Sequence, residues 1–314
     1  MNKPKLIMMV GLSASGKSTI AKELAVMENA AIVSSDKIRG EICPGGVQDQ
    51  SMNEMVFTEF RKRIVIHLMT GRSVIADATN LTIKSRAATL AVARQFDCEK
   101  IAYIVPKPFL RCLADDSDRE YSVSGRVLYK QRASFQVPFK EEGFDEIIIH
   151  RFEEYQKPDV DILGHVLSLM KDFDQKNPHH TGTLLEHSME VVNRVIQSDC
   201  LNSLSRRGSH GVMYHDVGKL LTQTFDDTGV AHYYNHANVG AYWFLSEAYR
   251  EFNPGYSDEF LDNVFLINYH MLPFDWNTVK AREKWLGVFG QDKYDALLEL
   301  HRCDVARDKT NDNI

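Results

Sequence analysis

The chain has 314 residues, 44% of them hydrophobic and 25% charged, enough for two domains of ordinary size, each with its own core. The formal net charge of −6 excludes a broad basic face, so any nucleic-acid contact must be local. No apolar run reaches membrane-spanning length, and the five scattered cysteines (Cys43, Cys98, Cys112, Cys200, Cys303) include no Cys-x-x-Cys pair, which argues against a disulfide framework and for a reducing, cytoplasmic setting.

The apolar run "KLIMMV" (5–10) leads straight into a glycine-rich loop and has no cleavage site, so it reads as a buried strand rather than a signal peptide. Residues Gly11–Ser18 then match G-x-x-x-x-G-K-[ST], and Thr19 follows. Each part has a reason. Gly11 and Gly16 let the backbone, including Ser13 and Ser15, turn its N–H groups onto phosphate oxygens. The helix that opens at Lys17 adds a favourable dipole. Lys17 can reach the β- and γ-phosphates of ATP, and the Ser18 hydroxyl can ligate Mg²⁺.

Further strand-like runs follow: "AAIVSSD" (30–36), "RSVIADATN" (72–80), "KIAYIV" (100–105) and "DEIIIH" (145–150). Between them, "KSTIAKELAV", "NEMVFTEFRKRIVIHLM" and "KSRAATLAVARQF" carry apolar residues at helical spacing. This alternation predicts an α/β domain, a parallel sheet covered by helices, over residues 1–157. Asp36 falls at the end of the second strand, where open α/β sheets place their active sites. A carboxylate there can take the proton of an attacking hydroxyl; the position equally suits a helix N-cap. Asp77, Thr79 and Asn80 lie on the same rim, with Arg86 one helical turn further on.

Beyond a linker at "KPDVD" (157–161) the strand pattern ends. Five amphipathic stretches predict an all-α domain over residues 158–314: "ILGHVLSLMKDF", "TLLEHSMEVVNRVIQ", "HANVGAYWFLSEAYREF", "DEFLDNVFLINYHM" and "DKYDALLELHRCDVARD". Residues 160–314 are acidic, with 14 Lys and Arg against 22 Asp and Glu, while residues 1–159 hold 23 against 21. Carboxylates held for a metal would account for part of that excess. His187, the adjacent His215 and Asp216, His236, His270 and Asp304 each fall on a separate predicted helix or at its end. Imidazoles with carboxylates suit borderline divalent ions such as Mn, Ni, Co, Fe or Zn.

"GLSASGKST", "SSDKIR", "DATNL" with its downstream Arg, a charged lid and "VPFKEEGFDEI" together resemble the P-loop polynucleotide 5′-kinase family over residues 5–150. The resemblance makes Asp36 the general base for a 5′-OH, puts Arg39 and Asp77 on the acceptor side, and places the lid arginine on Arg119, with Arg126 or Arg132 as its partner. The chain departs from some members in having Lys37 after Asp36 and an acidic approach to the lid (Asp115, Asp116, Asp118).

The second half resembles the HD phosphohydrolase superfamily over residues 165–308, and "QKNPHHTGTLLEHS" is similar to HD domains attached to some tRNA nucleotidyltransferases. By that resemblance His187, His215, Asp216 and Asp304 hold a first metal, His236 and His270 help hold a second, and Lys219 faces substrate phosphate. His180 and His232 read as surface residues. The combined expectation is a bifunctional enzyme that heals nucleic-acid ends, RNA rather than DNA: an ATP-dependent 5′-OH kinase and a metal-dependent 3′-phosphatase or 2′,3′-cyclic phosphodiesterase, with a separate ligase downstream. The alternative is a small-molecule or nucleoside kinase fused to a nucleotidase. A nucleotide sensor without catalysis fits poorly, because a sensor has no use for the Asp36 and Asp77 carboxylates.

Overall fold

A computed structural model describes residues 3–45, 51–152, 161–176, 182–198, 208–252 and 257–306. The chain divides into two compact units, Met1–Gln156 and Lys157–Ile314. His180, Cys200 and most of the "KPDVD" linker lie outside the described residues. No helix among the described residues is long and apolar enough to cross a membrane.

The first unit is a five-stranded, wholly parallel sheet in the order β2-β3-β1-β4-β5. Its strands are β1 (Lys5–Val10), β2 (Ala31–Ser34), β3 (Val74–Asp77), β4 (Glu99–Ile104) and β5 (Glu146–Ile149). The crossovers are α1 (Lys17–Met27), α2 (Ser35–Ile42), α3 (Asn53–Met69), α4 (Ile83–Ala93), α5 (Phe109–Ser117) and α6 (Gly125–Ala133). This is a P-loop kinase-like fold. Central parallel strands are covered on both faces, which is why β1 and β3 read as continuous apolar runs instead of alternating ones. Ile7, Met9, Ile75 and Ile101 pack with Ile20 and Ala21 of α1 into one core cluster.

β2 and β3 are shorter than their strand-like runs. β2 stops at Ser34 because Ser35 already opens α2, and β3 stops at Asp77. The chain after β3 is held by side chains. Asn80, with φ of +46°, donates to Met9 O at 2.7 Å. Arg86, fully buried, forks onto both carboxylate oxygens of Glu142 at 2.8 and 2.7 Å. It also donates to the carbonyls of Asn80 at 3.1 Å and Gln136 at 2.7 Å. Arg86 therefore ties the rim after β3 to the segment before β5 and is saturated by protein partners, a structural role.

In the second unit, α7 (Ile162–Asp172), α8 (Leu184–Gln197), α9 (Ser209–Met213), α10 (Lys219–Thr222), α11 (His236–Glu247), α12 (Ser257–Tyr269) and α13 (Val279–Val305) surround an aromatic core. Phe244, Phe260, Phe265 and Phe289 are buried in it, and Phe244 stacks on Phe260 at 5.5 Å. α8 packs on α9 and α13, and α11 on α12. α13 is broken at Gly290, whose φ of +72° is left-handed. One expectation needs correction, because this half is not wholly helical. Thr224–Phe225 (β6) and Ala231–His232 (β7) form a short antiparallel hairpin, and Asp174 bridges Thr183. Two-residue strands joined through "DDTG" carry too few residues to show a period, so pattern reading passes over them.

The Arg86–Glu142 pair gives the first prediction. Removing one partner of a buried ion pair leaves an uncompensated charge, at a cost of about 3–5 kcal/mol. Arg86→Met should lower the urea midpoint of the first unit by that equivalent. Unfolding monitored with and without Glu142→Gln in the same chain checks it: the double variant should recover part of the loss.

Candidate functional site

The first site lies at the carboxyl ends of β1, β2 and β3. Parallel pairing sets Ser34 opposite Asp77 and Met8 opposite Ala76, which brings the ends of β2 and β3 level with the loop after β1. Gly16 caps α1 with φ of +92°, a conformation that suits a residue without Cβ. Gly11 donates its N–H to Thr79 O at 3.1 Å, so the loop leans on the rim after β3. Ser18 Oγ donates to Asp77 Oδ2 at 2.8 Å. A hydroxyl and a carboxylate thus stand together at the start of α1, an oxygen pair of the kind Mg²⁺ takes. Lys17 is buried and folds back over the loop, donating to Leu12 O. Burial of its amino group pushes its pKa down to about 8, with Asp77 acting against the shift. Ser15 is buried beneath it, while Ser18 and Thr19 face out.

Asp36 is exposed in the first turn of α2, and the N-cap is Ser34, so the alternative role as a cap does not apply. Arg39, one turn on, is buried. Arg119 lies in the loop between α5 and α6, and its charge reaches Lys17, where it opposes protonation. Of the acidic lid residues, Asp116 is buried and holds that loop by accepting from Ser122 Oγ at 2.7 Å and Val123 N at 3.2 Å. Asp115 pairs with Lys107. Arg126 is exposed in the first turn of α6, and Arg132 lies over the Phe109 ring at 3.9 Å, a packing role. A residue not foreseen is Gln131 of α6. It accepts from Ser13 N at 2.8 Å and donates to Ser13 Oγ at 2.9 Å, clamping the lid helix to the phosphate loop. A lone Gln on a helix has no spacing signal that could have marked it.

The second site forms where the ends of α8, α11, α12 and α13 meet the α9–α10 turn in the second unit. His187 lies in the first turn of α8, whose cap is the reciprocal Thr183–Glu186 box. His215 and Asp216 lie between α9 and α10, His236 opens α11, His270 follows α12, and Asp304 lies near the end of α13. These helices approach closely. A Cβ on Gly218 would stand 1.9 Å from His236 O, so only glycine fits between α10 and α11 there.

The six side chains converge as two groups: His187, His215 and Asp304, and then Asp216, His236 and His270. Within each, the ligand atoms lie within 4.8 Å of one another. Asp216 stands between them. Its Oδ2 faces His215 Nε2 at 3.4 Å and His187 Nε2 at 3.5 Å, and its Oδ1 faces His236 Nε2 at 3.1 Å and His270 Nε2 at 3.5 Å. Asp304 Oδ1 completes the first group, 3.0 Å from His187 and 3.5 Å from His215.

Three imidazoles are oriented by one device. Nδ1 of His215, His236 and His270 meets the carbonyl of the residue three positions earlier, at 2.8, 2.9 and 2.9 Å. With Nδ1 donating, each Nε2 turns a lone pair inward. His236 and His270 then face each other Nε2 to Nε2 at 3.2 Å, which is repulsive unless a proton or a cation lies between them. Charge tells the same story. Burial opposes a charged His215, yet Asp216 and Asp304 outweigh it and push its pKa up to about 10. Asp216, although buried, is held well below the usual carboxylate range by Lys219 and His215, whereas burial pushes His270 down. The centre draws positive charge. Donor atoms about 2.0–2.2 Å from a shared divalent ion lie roughly 3.0–3.6 Å apart, which is the spacing found here. The nitrogen and oxygen donor set, without thiolate, fits the borderline divalent metals.

Lys219 is tied into the centre: Nζ meets Asp216 Oδ2 at 2.7 Å and donates to Gln175 Oε1 at 2.8 Å. His232 lies away from it, on the hairpin, 3.0 Å from Asp226. Gln175 and Tyr233, which lines the Lys219 ammonium at 5.4 Å, were not singled out from sequence. Gln175 stands inside the quoted "QKNPHHTG" run, but an amide has no titration or ligand spacing to mark it.

Residues 6–138 match the family described as AAA domain (AAA_33). No curated protein matches the chain. Among solved structures, a sugar kinase from Janibacter sp. aligns with a TM-score of 0.36 and 17% identity over 47% of this chain and 84% of its own. A chain of the Pnkp1/Rnl/Hen1 RNA repair complex gives 0.40 and 20% over 52% of this chain and 54% of its own. The APS kinase of Mycobacterium tuberculosis gives 0.35 and 16% over 54% and 96%.

The buried Lys17 carries a pH signature. Phosphate charge favours the ammonium form, against the burial that holds its pKa near 8. ATP binding at pH 8.5–9 should therefore take up protons, and affinity should fall as pH rises above about 8. Titration calorimetry in two buffers of different ionisation heat measures the uptake, which Lys17→Met should remove.

Proposed function

We propose that the chain is a bifunctional end-healing enzyme for nucleic acid, preferentially RNA: an ATP-dependent 5′-OH polynucleotide kinase in the first unit and a metal-dependent phosphohydrolase of the HD type in the second. The observation that carries this reading is the convergence of His187, His215, Asp216, His236, His270 and Asp304 around one buried carboxylate, on the same chain as a P-loop kinase-like fold.

In the kinase, the loop N–H groups and Lys17 hold the β- and γ-phosphates. Ser18, steadied by Asp77, is placed to ligate Mg²⁺, which neutralises phosphate charge when bound. Asp36, exposed at the rim, accepts the proton as the 5′ oxygen bonds to the γ-phosphorus and the bond to the β–γ bridging oxygen breaks. Arg39 orients the acceptor, and Arg119, from the lid loop, stabilises the charge on the transferring group.

In the hydrolase, the first group with Asp216 would hold one divalent ion and the second group another. Such ions supply Lewis acidity and bring water's pKa toward neutrality. The chain's own residues fix the rest. The Nδ1–carbonyl bonds keep the imidazoles turned inward, and Lys219 places a positive charge beside the ligands for a terminal phosphate. RNA favours the pairing of the two activities, because metal-independent cleavage of RNA leaves 5′-OH and 2′,3′-cyclic phosphate ends, whereas ligation by a separate enzyme needs 5′-phosphate and 3′-OH. One domain adds the missing phosphate and the other removes the surplus one.

The two activities should separate cleanly by mutation. Lys17→Ala and Asp36→Ala should each cut phosphate transfer to 5′-OH RNA by at least a hundredfold, with Asp36→Ala still binding ATP, and both should leave phosphate release from 3′-phosphate and 2′,3′-cyclic phosphate RNA near the parent rate. His215→Ala or a chelator should do the converse. Labelled ATP with 5′-OH RNA, 5′-OH DNA and a nucleoside panel, alongside 3′-ended RNA and nucleoside triphosphates with Mn²⁺, Ni²⁺ or Co²⁺, reads all of this. Transfer confined to nucleosides, with rapid triphosphate hydrolysis and inert RNA ends, would contradict the proposal and favour a nucleoside kinase fused to a nucleotidase.

A further inference from the structure

Gln175 lies beside Lys219 at the Asp216 centre. It is 1% exposed. Its Oε1 accepts from Lys219 Nζ at 2.8 Å, and the same Nζ meets Asp216 Oδ2 at 2.7 Å. The ammonium has only donors, so the contact fixes the amide's orientation and leaves Nε2 as the NH₂ end. That Nε2 is buried and has no hydrogen-bond partner. A buried amide donor left unpaired is costly and rare in native proteins.

The backbone around this donor is pinned on both sides. Asp174 bridges Thr183 and accepts from Gln223 Nε2 at 3.2 Å. Ala231 N donates to Lys176 O at 3.0 Å, and Tyr233 Oη donates to the Gln175 carbonyl. Ala231 of the hairpin and the residues flanking it, Gln223 and Tyr233, thus fix the backbone from Asp174 to Lys176. Local packing this specific could have satisfied the amide with a nearby carbonyl, and it does not.

We propose that Gln175 is a binding residue for the substrate's phosphoryl group: its Nε2 donates to a non-bridging oxygen of a phosphate beside the Asp216 centre, while its Oε1 positions Lys219 for a second oxygen of the same group. The proposal rests on the hydrolase reading above and deepens it. The chemistry selects an anion. An NH₂ group donates and cannot accept, the ammonium bonded to the same amide's Oε1 is also donor-only, and two donors on one amide–ammonium pair suit an oxyanion. They do not suit a cation, and Gln175 is not part of either ligand group.

The test uses the full chain carrying Lys17→Ala, which silences phosphate binding at the P-loop, loaded with Zn²⁺ and titrated with inorganic phosphate. Gln175→Met keeps the side chain's length and removes both polar ends. It should hold as much zinc as its parent, by elemental analysis, yet bind phosphate about tenfold more weakly or worse, as expected for losing a hydrogen bond to a charged group. In ¹⁵N-glutamine-labelled parent protein, the side-chain NH₂ resonance that Gln175→Met abolishes should move downfield when phosphate is added. Phosphate affinity within twofold of the parent would overturn the assignment, as would a resonance that phosphate leaves unmoved, zinc loss in Gln175→Met, or a zinc-loaded parent that binds no phosphate. Asp216→Ala separates the two levels. If it retains the parent's zinc, the metal-site reading itself fails; if it loses the zinc and Gln175→Met changes nothing, only the role of Gln175 fails.

Discussion

An ionised group taken out of water must meet opposite charge or change its protonation, and both units of this chain are arranged around that constraint. In the second unit the group is Asp216. Four imidazoles and an ammonium surround its two oxygens, with Asp304 adding a second negative charge to one side. Two carboxylates buried among these groups draw positive charge, and the raised pKa of His215 expresses that demand. The helices are built to serve it: glycine at 218 lets α10 and α11 close up, and three imidazoles are turned by the carbonyl three residues before each of them.

The first unit meets the same constraint twice, with opposite outcomes. Arg86 is buried and fully answered by Glu142 and carbonyls, so it is spent on structure. Lys17 is buried and answered mainly by a carbonyl and a hydroxyl, and its pKa is depressed. A cation held in that state gains from the arrival of phosphate, which is the property a nucleotide-binding lysine needs. Two basic residues, each close to a strand end, thus divide between holding the fold and facing the ligand according to the partners they have.

Much of this was legible in the chain itself. The strand-helix alternation and G-x-x-x-x-G-K-[ST] state the parallel sheet and its phosphate loop, because buried strands and glycine-rich turns have strong local signatures. The six His and Asp positions were legible as a set because metal chemistry needs those residue types, and the helices do bring them together. What stayed hidden has no local signature. Gln131 and Gln175 act through amides whose value comes from a partner 118 and 44 residues away. In sequence Asn80 stands on the rim with Asp77 and Arg86 one helical turn further on, and only their bonds to Glu142 and to carbonyls mark them as structural. The β6–β7 hairpin is too short for any period to show.

The central claim is that one carboxylate, Asp216, lies between two metal positions. Titrating a transition metal into chelator-treated, dialysed protein and counting bound equivalents by elemental analysis tests it most directly. The account predicts two equivalents per chain for the parent, about one for His236→Ala, and less than one for Asp216→Asn. Equal metal content in the parent and in Asp216→Asn would contradict it.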